Sequence, residues 1–570
     1  MYYPLIVTGS LFFGSTIFSI ISLVNNKHII QIVVTHWKRL IIILAVAFLF
    51  KCPLNTSFFH GLEYEDAYVY KASARFFNYK KDFDVDPFLT TSCTTGSLNN
   101  YKSTVTYSGH VIGYPYIIGL AYLIAGYHPN IANYLSLGFS VLAVVLLFIV
   151  TQLIANNKTL STISCIVFIC VPVFNVFSST SLSEPTSSLY ITLALLLYLA
   201  FVHYPNDARC YNRFNKLLSW AAILSTFLFM VLIKKENLSL AMSLPAATLL
   251  YLFMNRHNLD NLTKSNIKAN LLTYLPVILL VIVFALYVVN FNKALSAEEN
   301  EISNSPFSVK YFLDLMPLFM KSYFYYKWYF FFSVFLIVGF FCMTRTGLAI
   351  FPIIIFSSYF LLYTSHYRSY FYVKGGVVNE FETLRYMTNL MSIYSLIVGV
   401  GLFGIYTISK ERIPKIKSLC QFKLFKYIFT FALLITCFFL TQRLRTNFVH
   451  EEYYTRIQPV VKTISHFQEV DNLIIITGES LLFYIYGDEN INIIDYASIS
   501  SDINETDLDR LIDENCVVYI RKEEEESSLW KERWKEQYDY LKSKRKVLLY
   551  DGEKENGVFR IYRIHNNTDT

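Results

Sequence analysis

The stretch Gly61-Leu62-Glu63-Tyr64-Glu65-Asp66-Ala67-Tyr68-Val69-Tyr70 shows most directly how this 570-residue chain is organised. It follows an apolar segment and opens a long polar loop, and two adjacent carboxylates stand in it among aromatic residues. Aromatic and basic residues recur around the pair at helical spacing, which predicts an ordered, partly buried helix. Carboxylates in such a place can bind a divalent cation or accept a proton. A hydrated loop start is the plain alternative.

The rest of the chain has the composition of a membrane protein. Hydrophobic residues make up 54% of it and charged residues only 16%, whereas soluble proteins carry about 25% charged residues. Apolar runs of about 20 residues recur along its first three quarters, as membrane-spanning helices require. The sequence predicts an all-α polytopic membrane protein with about twelve spans, near 4–24, 40–58, 131–153, 159–178, 187–204, 217–233, 238–254, 270–290, 328–343, 347–364, 388–408 and 425–441.

The positions of the basic residues predict how these spans are oriented. Lysines and arginines cluster in alternate connections, which the positive-inside tendency makes cytoplasmic. The opposite, outer face of the membrane then carries both termini and five segments: the long 59–130 loop, the 181–185 turn, the 291–327 loop, the 365–387 loop and the tail after 442. The net charge of +7 is explained by this loop bias, so no nucleic-acid partner is expected.

Two short apolar segments do not fit the pattern of spans. Residues 112–126 and 311–326 are too short or too often interrupted to cross the bilayer comfortably. Counting 112–126 as a span would also invert every later loop. Both segments are therefore predicted to be interfacial helices on the outer leaflet.

The sequence predicts two domains, a transmembrane domain over 1–441 and an extracytoplasmic soluble α/β domain over 442–570. In the second domain β-like runs at 473–477, 491–495, 517–521, 547–550 and 558–564 alternate with helix-forming segments. Its Gly478-Glu479-Ser480 turn matches neither a nucleophile elbow nor a dinucleotide loop, so no catalysis is expected there. The nine cysteines show no paired spacing, which argues against a disulfide framework.

The acidic stretch resembles a signature of known membrane enzymes. Glu65-Asp66-Ala67-Tyr68-Val69-Tyr70, followed by Ala74-Arg75, is similar to the first outer loop of GT-C glycosyltransferases, which include protein O-mannosyltransferases and lipid A aminoarabinose transferases. Several branches have Asp-Asp-Ala-Tyr or Asp-Glu-x-x-Tyr there, so the resemblance does not settle which carboxylate is the base. Further matches follow along the chain: Gly109 to Pro115, Ser183-Glu184-Pro185, Lys234-Lys235-Glu236 and Arg385-Tyr386.

The resemblance implies a transferase that moves a sugar from a polyprenyl-phosphate donor to a hydroxyl of a glycan, lipid or protein. It implies one inverting displacement at the outer face of the plasma membrane. The catalytic candidates are Glu65 and Asp66. The implied donor-phosphate ligands are the cations Lys71, Arg75, Lys234, Lys235 and Arg385. The implied substrate-binding residues are Tyr68, His110, Tyr114, Glu184 and Tyr386. A divalent metal, Mg²⁺ or Mn²⁺, is implied at Asp66 and Glu184, although not every branch needs one.

Structural explanations exist for several of these residues. Glu184 could be a favourable acid in a first helical turn, Lys234 and Lys235 could extend towards the membrane surface from a helix end, and His110 could be a structural hydrogen-bonding residue. The main functional alternative is a multi-span transporter, which the span number suits. Transporters usually show internal repeats and charges near the bilayer midplane, and the sequence shows neither. A surface-polysaccharide polymerase or ligase would share the lipid-linked chemistry.

Overall fold

The computed structural model describes most of the transmembrane region and parts of the loops. The described residues are 3–52, 65–79, 90–93, 105–107, 112–203, 213–255, 261–295, 308–325, 329–343, 347–366, 385, 388–412, 423–452, 457–467, 473–477, 480–486, 492–495, 509–510, 512, 516–522, 545–551 and 559–565. Contacts divide the chain into two compact units. Unit 1 contains residues 1–2, 55–133 and 445–570, and unit 2 contains residues 3–54 and 134–444. The domain boundary after residue 441 stays a prediction.

The structure is mostly helical. Its α-helices, in chain order, are α1 Tyr3–Asn25, α2 Lys27–Lys51, α3 Glu65–Tyr79, α4 Gly113–Ala125, α5 Ile131–Ala155, α6 Lys158–Cys170, α7 Pro172–Phe177, α8 Ser183–Tyr198, α9 Arg213–Ile233, α10 Leu238–Met254, α11 Asn261–Leu295, α12 Val309–Tyr325, α13 Tyr329–Met343, α14 Ile350–Ser365, α15 Met391–Arg412, α16 Lys423–Glu452, α17 Gln458–His466 and α18 Ser480–Tyr486. A π-helical turn, Leu199–His203, extends α8, and short 3₁₀ helices form at Lys235–Asn237, Gly347–Ala349 and Thr388–Leu390.

Many of these helices have the length and composition of membrane spans. Among the described residues, 8 helices are long and apolar enough to cross a bilayer, and several shorter apolar helices accompany them. The prediction of a multi-pass helical membrane protein is therefore confirmed, whereas the number of about twelve spans stays a prediction. The segments predicted at 112–126 and 311–326 are the helices α4 and α12; their interfacial position also stays a prediction.

Two predicted spans have different limits in the structure. The span predicted at 40–58 is the helix Lys27–Lys51, whose start is fixed by Asn26: its side chain accepts hydrogen bonds from the amides of His28 and Ile29. The span predicted at 159–178 is two helices, Lys158–Cys170 and Pro172–Phe177. Pro172 separates them, because proline lacks the amide hydrogen that a continuous helix would use there.

Glycines allow close packing of two helices in unit 2. A Cβ built on Gly339 of α13 would collide with the backbone carbonyl of Ile397 in α15, and one built on Gly401 would collide with the carbonyl of Phe335. Only the absence of a side chain at these positions lets the two backbones approach so closely. Hydroxyl groups join α15 to α8, where Thr192 Oγ1 donates to Ser392 Oγ at 2.6 Å.

Unit 1 contains a mixed five-stranded sheet. Its strands are β3 Leu473–Thr477, β4 Asn492–Asp495, β5 Cys516–Lys522, β6 Arg545–Asp551 and β7 Phe559–His565, after a small antiparallel pair, β1 Thr90–Cys93 and β2 Val105–Tyr107. The order is β4-β3-β5-β7-β6; β3 is parallel to β4 and β5, and β7 is antiparallel to β5 and β6. The strands predicted in this region are thus present, while its independence as a soluble domain stays a prediction.

Candidate functional site

A buried carboxylate lies at the beginning of α8. Helix α8 starts at Ser183, its N-cap residue Leu182 makes no side-chain capping bond, and Glu184 is the acidic residue of its first turn. Negative charge is favoured in that turn because the helix dipole is positive there. The Glu184 side chain is only 3% exposed, however, so the dipole alone does not explain how a charged group is accommodated at this depth.

Two cations converge on the Glu184 carboxylate. Lys234 Nζ donates to Glu184 Oε1 at 3.2 Å, and Arg385 Nε donates to the same oxygen at 3.1 Å. The cationic side chains are themselves mostly buried, at 16% and 20% exposed. The structure thus brings three residues from separate sequence motifs into one charge cluster, which we call the Glu184 cluster.

A network of hydrogen bonds holds the turn that carries Lys234. Asn237, the last residue of the connection between α9 and α10, accepts hydrogen bonds on Oδ1 from Ser187 Oγ at 3.0 Å and Tyr359 Oη at 3.1 Å. Its Nδ2 donates to the Met230 carbonyl at 3.0 Å. Because these partners come from α8, α14 and α9, Asn237 fixes the turn to three helices. Asn237 is not among the residues predicted from the sequence, where its only signal is an amide at the edge of an apolar segment.

Aromatic and amide groups line the same region. The Tyr363 ring centroid lies 6.0 Å from Lys234 Nζ, and Tyr363 Oη accepts a hydrogen bond from Asn389 Nδ2 at 3.1 Å. Asn389 is fully buried, and among the described residues its Oδ1 has no hydrogen-bond partner. Lys235 belongs to the short helix Lys235–Asn237. Like Lys234, it interacts electrostatically with the Glu236 carboxylate. The region therefore has a polar wall beside the Glu184 cluster.

The acidic pair opens α3 in unit 1. Helix α3 begins at Glu65, so Glu65 and Asp66 form its first two positions, as the helical spacing predicted; their side chains lie outside the described residues. Lys71 on the same helix is fully buried. Burial disfavours the charged ammonium and lowers the pKa of Lys71 well below its usual value. The role of Lys71 as a phosphate ligand stays a prediction.

The tyrosines predicted to bind substrate are packed inside unit 1. Tyr68 is 2% exposed and belongs to the apolar core formed with the C-terminal helices and strands. The rings of Tyr70 and Tyr114 meet edge to face with centroids 5.3 Å apart, and Tyr114 Oη donates to the Ala132 carbonyl at 3.4 Å. Packing alone accounts for the burial of Tyr68 and Tyr114, and their role towards a substrate stays a prediction.

Arg75, predicted to bind donor phosphate, has its guanidinium enclosed by protein groups. Its Nη1 donates to the Tyr484 carbonyl, and its Cζ lies 4.5 Å from the ring centroid of Tyr127 and 5.0 Å from that of Tyr484. Residue 75 is 4% exposed. The two remaining sequence candidates, His110 and Tyr386, lie outside the described residues.

The contacts of Glu184 disfavour a metal ion at its Oε1, and the side chain of the second predicted ligand, Asp66, lies outside the described residues. One carboxylate oxygen already accepts hydrogen bonds from a lysine and an arginine, and a divalent cation placed there would be repelled by both. Over the described ranges no group of three or more His, Cys, Asp or Glu side chains is arranged to hold a metal. The metal predicted at Asp66 and Glu184 thus gains no support from the Glu184 cluster.

The fold is shared with the membrane protein ArnT, in two solved structures. ArnT from Cupriavidus metallidurans in the apo state matches with a TM-score of 0.55 and 11% identity over 93% of this chain and 98% of that chain. The same protein bound to undecaprenyl phosphate matches with a TM-score of 0.54 and 11% identity over 93% of this chain and 97% of that chain. The GT-C fold expected from the resemblance is therefore confirmed; at this identity the likeness shows the fold alone.

A further solved structure resembles the chain more weakly. The oligosaccharyltransferase AglB from Archaeoglobus fulgidus, in complex with an inhibitory peptide and a dolichol-phosphate, has a TM-score of only 0.47 at 12% identity, over 94% of this chain and 74% of that chain. No family model matches the chain. No curated protein matches it in sequence.

Proposed function

We propose that this protein is a glycosyltransferase of the bacterial plasma membrane. It moves a sugar from a polyprenyl-phosphate donor to a hydroxyl of a glycan, lipid or protein acceptor at the outer face. The observation that carries the proposal is the convergence of Lys234 and Arg385 on one buried carboxylate, in a chain with the fold of ArnT. ArnT has been captured with undecaprenyl phosphate, which is the class of lipid we propose here.

The charge of the Glu184 cluster suits a lipid phosphate. Lys234 and Arg385 outnumber the carboxylate of Glu184 by one positive charge, and the excess stays the same when the neighbouring Lys235 and Glu236 are added. Charge-assisted hydrogen bonds to a phosphate are strong when water is largely excluded, as it is from these mostly buried side chains. The cluster would hold the donor phosphate and stabilise the charge that develops on it as the glycosidic bond breaks.

The direction of the helices supports a site on the outer face. Helix α9 ends next to Lys234, whereas Lys216 lies near its beginning at the opposite end of the helix. Helix α10 leads away from the cluster, and α11, which follows it, carries Lys264 and Lys268 in its first turns. Basic residues mark the cytoplasmic ends of spans, so the Glu184 cluster belongs at the extracytoplasmic ends. Both chain termini are proposed to lie on that side.

An apolar cavity beside α14 offers a place for part of the prenyl tail. It measures about 360 Å³ and is lined almost wholly by apolar side chains of α12, α13 and α14. Phe360 lines the cavity, and Tyr363, one helical turn further along α14, lies beside Lys234. We propose that a donor whose phosphate contacts Lys234 directs its first isoprene units along this face of α14.

The proposed reaction is one displacement at the anomeric carbon. The acceptor oxygen forms a bond to that carbon while the bond from the carbon to the phosphate oxygen breaks, and the lipid phosphate leaves with the electron pair. The acceptor's proton passes to Glu65 or Asp66, the proposed base. A single displacement inverts the anomeric centre, in contrast to a route through a covalent glycosyl-enzyme. No step in this scheme is routed through a metal ion.

The test is transfer from a panel of radiolabelled polyprenyl-phosphate sugars in membranes that carry the wild type, Asp66→Asn or Glu65→Gln at equal protein level. Lys216→Gln, which changes an exposed lysine at the far end of α9, is the control. Labelled product from the wild type and the control, lost in a carboxylate variant, supports the transferase and the acidic pair. Transfer that persists in both variants would show that neither Glu65 nor Asp66 is the base. No transfer from any donor would favour the transporter, and uptake assays would follow.

A further inference from the structure

One face of α3 is packed against the C-terminal part of unit 1. Tyr68, Ala72 and Arg75 are spaced by four and three residues, so they lie along one side of the helix. Tyr68 and Ala72 are part of an apolar core whose other members come from α17, β3, α18 and β4, among them Val460, Ile475 and Phe483. The helix that begins with the acidic pair is thus anchored along one side by residues that start two positions beyond that pair.

Backbone carbonyls in the last turn of α18 accept hydrogen bonds from two side chains elsewhere in unit 1, those of Arg75 and Tyr127. Arg75 Nη1 donates to the carbonyl of Tyr484, and Tyr127 Oη donates to the carbonyl of Ile485 at 2.5 Å. Tyr484 and Ile485 lie in the last turn of α18, Ser480–Tyr486. The last carbonyls of a helix have no partner within it, and a cation is favoured there by the helix dipole. These contacts therefore satisfy groups that α18 cannot satisfy by itself.

Two aromatic rings and a backbone carbonyl hold the Arg75 guanidinium in place. It lies over the rings of Tyr127 and Tyr484, a geometry that stabilises a planar cation through cation–π attraction. The planar, multiply donating guanidinium suits this combination of stacking and hydrogen bonding, and a lysine ammonium does not reproduce it. Arg75 also lies about 14 Å along the helix axis from Asp66, at 1.5 Å per residue.

We propose that Arg75 is a positioning residue: it fastens α3 to the C-terminal helix α18 and so holds the acidic pair in place for the reaction. This inference rests on the proposed function, and it replaces the donor-phosphate role expected for Arg75 from the resemblance. It also assigns a structural role to the C-terminal part of unit 1, because α3 packs against α18 and the apolar core around it.

The experiment combines hydrogen–deuterium exchange with kinetics on the full chain in detergent. Arg75→Gln and Arg75→Lys are compared with wild type, with Arg563→Gln as control, since Arg563 is an exposed arginine of β7 in the same unit. We expect faster amide exchange in α3 and α18 for Arg75→Gln, a smaller change for Arg75→Lys, and none for the control. The kcat of transfer should fall about tenfold or more while the KM for the donor changes less than about twofold.

Other results would overturn the inference. A donor KM that rises in Arg75→Gln, recovers in Arg75→Lys, and comes with unchanged exchange in α3 would assign Arg75 to phosphate binding. If Arg75→Gln does not fold, Tyr127→Phe, which removes only the hydroxyl that donates to Ile485, should still raise exchange in α18; unchanged exchange there would contradict the fastening. If the wild type transfers no sugar, the proposed function fails, and the exchange measurement alone decides whether Arg75 holds α3 and α18 together.

Discussion

Lys234 Nζ lies 3.2 Å from Glu184 Oε1, although 50 residues separate the two in the chain. Because Arg385 donates to the same oxygen, removal of the carboxylate would leave two mostly buried cations without it. We expect Glu184→Gln to lower thermal stability, and a double-mutant cycle with Lys234→Met to give a coupling free energy of about 1–3 kcal/mol. Unfolding in detergent of the two single variants and the double variant measures it. Additive effects would show that the contact contributes no coupling.

Loss of a cation should weaken binding of the donor. We expect Lys234→Gln to raise the donor KM about tenfold, which corresponds to losing roughly 1.4 kcal/mol from one charge-assisted contact to phosphate. Initial rates of transfer over a range of donor concentrations measure this. Lys216→Gln, on an exposed part of α9, should leave KM unchanged. An unchanged KM in Lys234→Gln as well would place the phosphate elsewhere.

Lys71 should make stability depend on pH. Its folded-state pKa lies well below the usual 10.5, so between the two values the unfolded chain binds more protons and stability rises with pH. We expect Lys71→Met to be the more stable protein at pH 7, with the difference from wild type narrowing as the pH approaches 10. Melting temperatures of both proteins at pH 7, 8, 9 and 10 test this. A difference that stays constant over this range would mean that Lys71 keeps an ordinary pKa.

The glycine contact between α13 and α15 should not tolerate a methyl group. A Cβ at residue 401 would meet the carbonyl of Phe335, which is backbone and cannot rotate away, so we expect Gly401→Ala to cost about 1–3 kcal/mol or more. The matched control is Gly138→Ala in α5, where a Cβ would meet nothing within 4 Å. Alanine there should be neutral or slightly stabilising. Equal melting temperatures of the two variants would refute the close packing.

Filling the apolar cavity should change how the proposed transfer depends on the length of the donor's prenyl tail. Ser357 is an exposed small residue among the cavity-lining side chains, and Ser357→Trp would occupy part of the space. We expect a larger loss of transfer with long-chain donors than with donors that carry one or two isoprene units. Leu249→Trp, on an exposed face of α10, should affect both donors alike. The same loss for short and long tails in Ser357→Trp would exclude the cavity as the tail site.

The pattern of apolar residues predicted many of the helices and strands correctly. It failed where a single residue sets the start or the end of a helix. The strand predicted at 473–477 is present as Leu473–Thr477, since five apolar or β-branched residues bounded by turn residues leave little choice. The start of α2 was missed because Lys38 and Arg39 interrupt the apolar run, whereas the capping side chain of Asn26 begins the helix before them. The break at Pro172 was visible in the sequence but was overridden by the length of the apolar run.

Sequence motifs named members of the candidate site but not their partners. Glu184, Lys234 and Arg385 were each singled out, and the structure brings them together. Their convergence on one oxygen depends on helix packing, which a sequence without contacts does not show. The supporting role of Asn237 was missed for the same reason. The partner of Arg75 is a backbone carbonyl, and since every residue has one, no residue type could have pointed to Tyr484.

The bond between Arg75 and the Tyr484 carbonyl also sets an order of events during synthesis. The two residues are 409 positions apart, and the chain emerges from the ribosome at about 5–20 residues per second. For tens of seconds after α3 has left the ribosome, the segment that will secure it does not yet exist. If Arg75 has the positioning role proposed above, the acidic pair reaches its final place only after residues 480–486 of α18 have been made. A nascent chain stopped before residue 480 would therefore carry every predicted catalytic side chain and still be inactive.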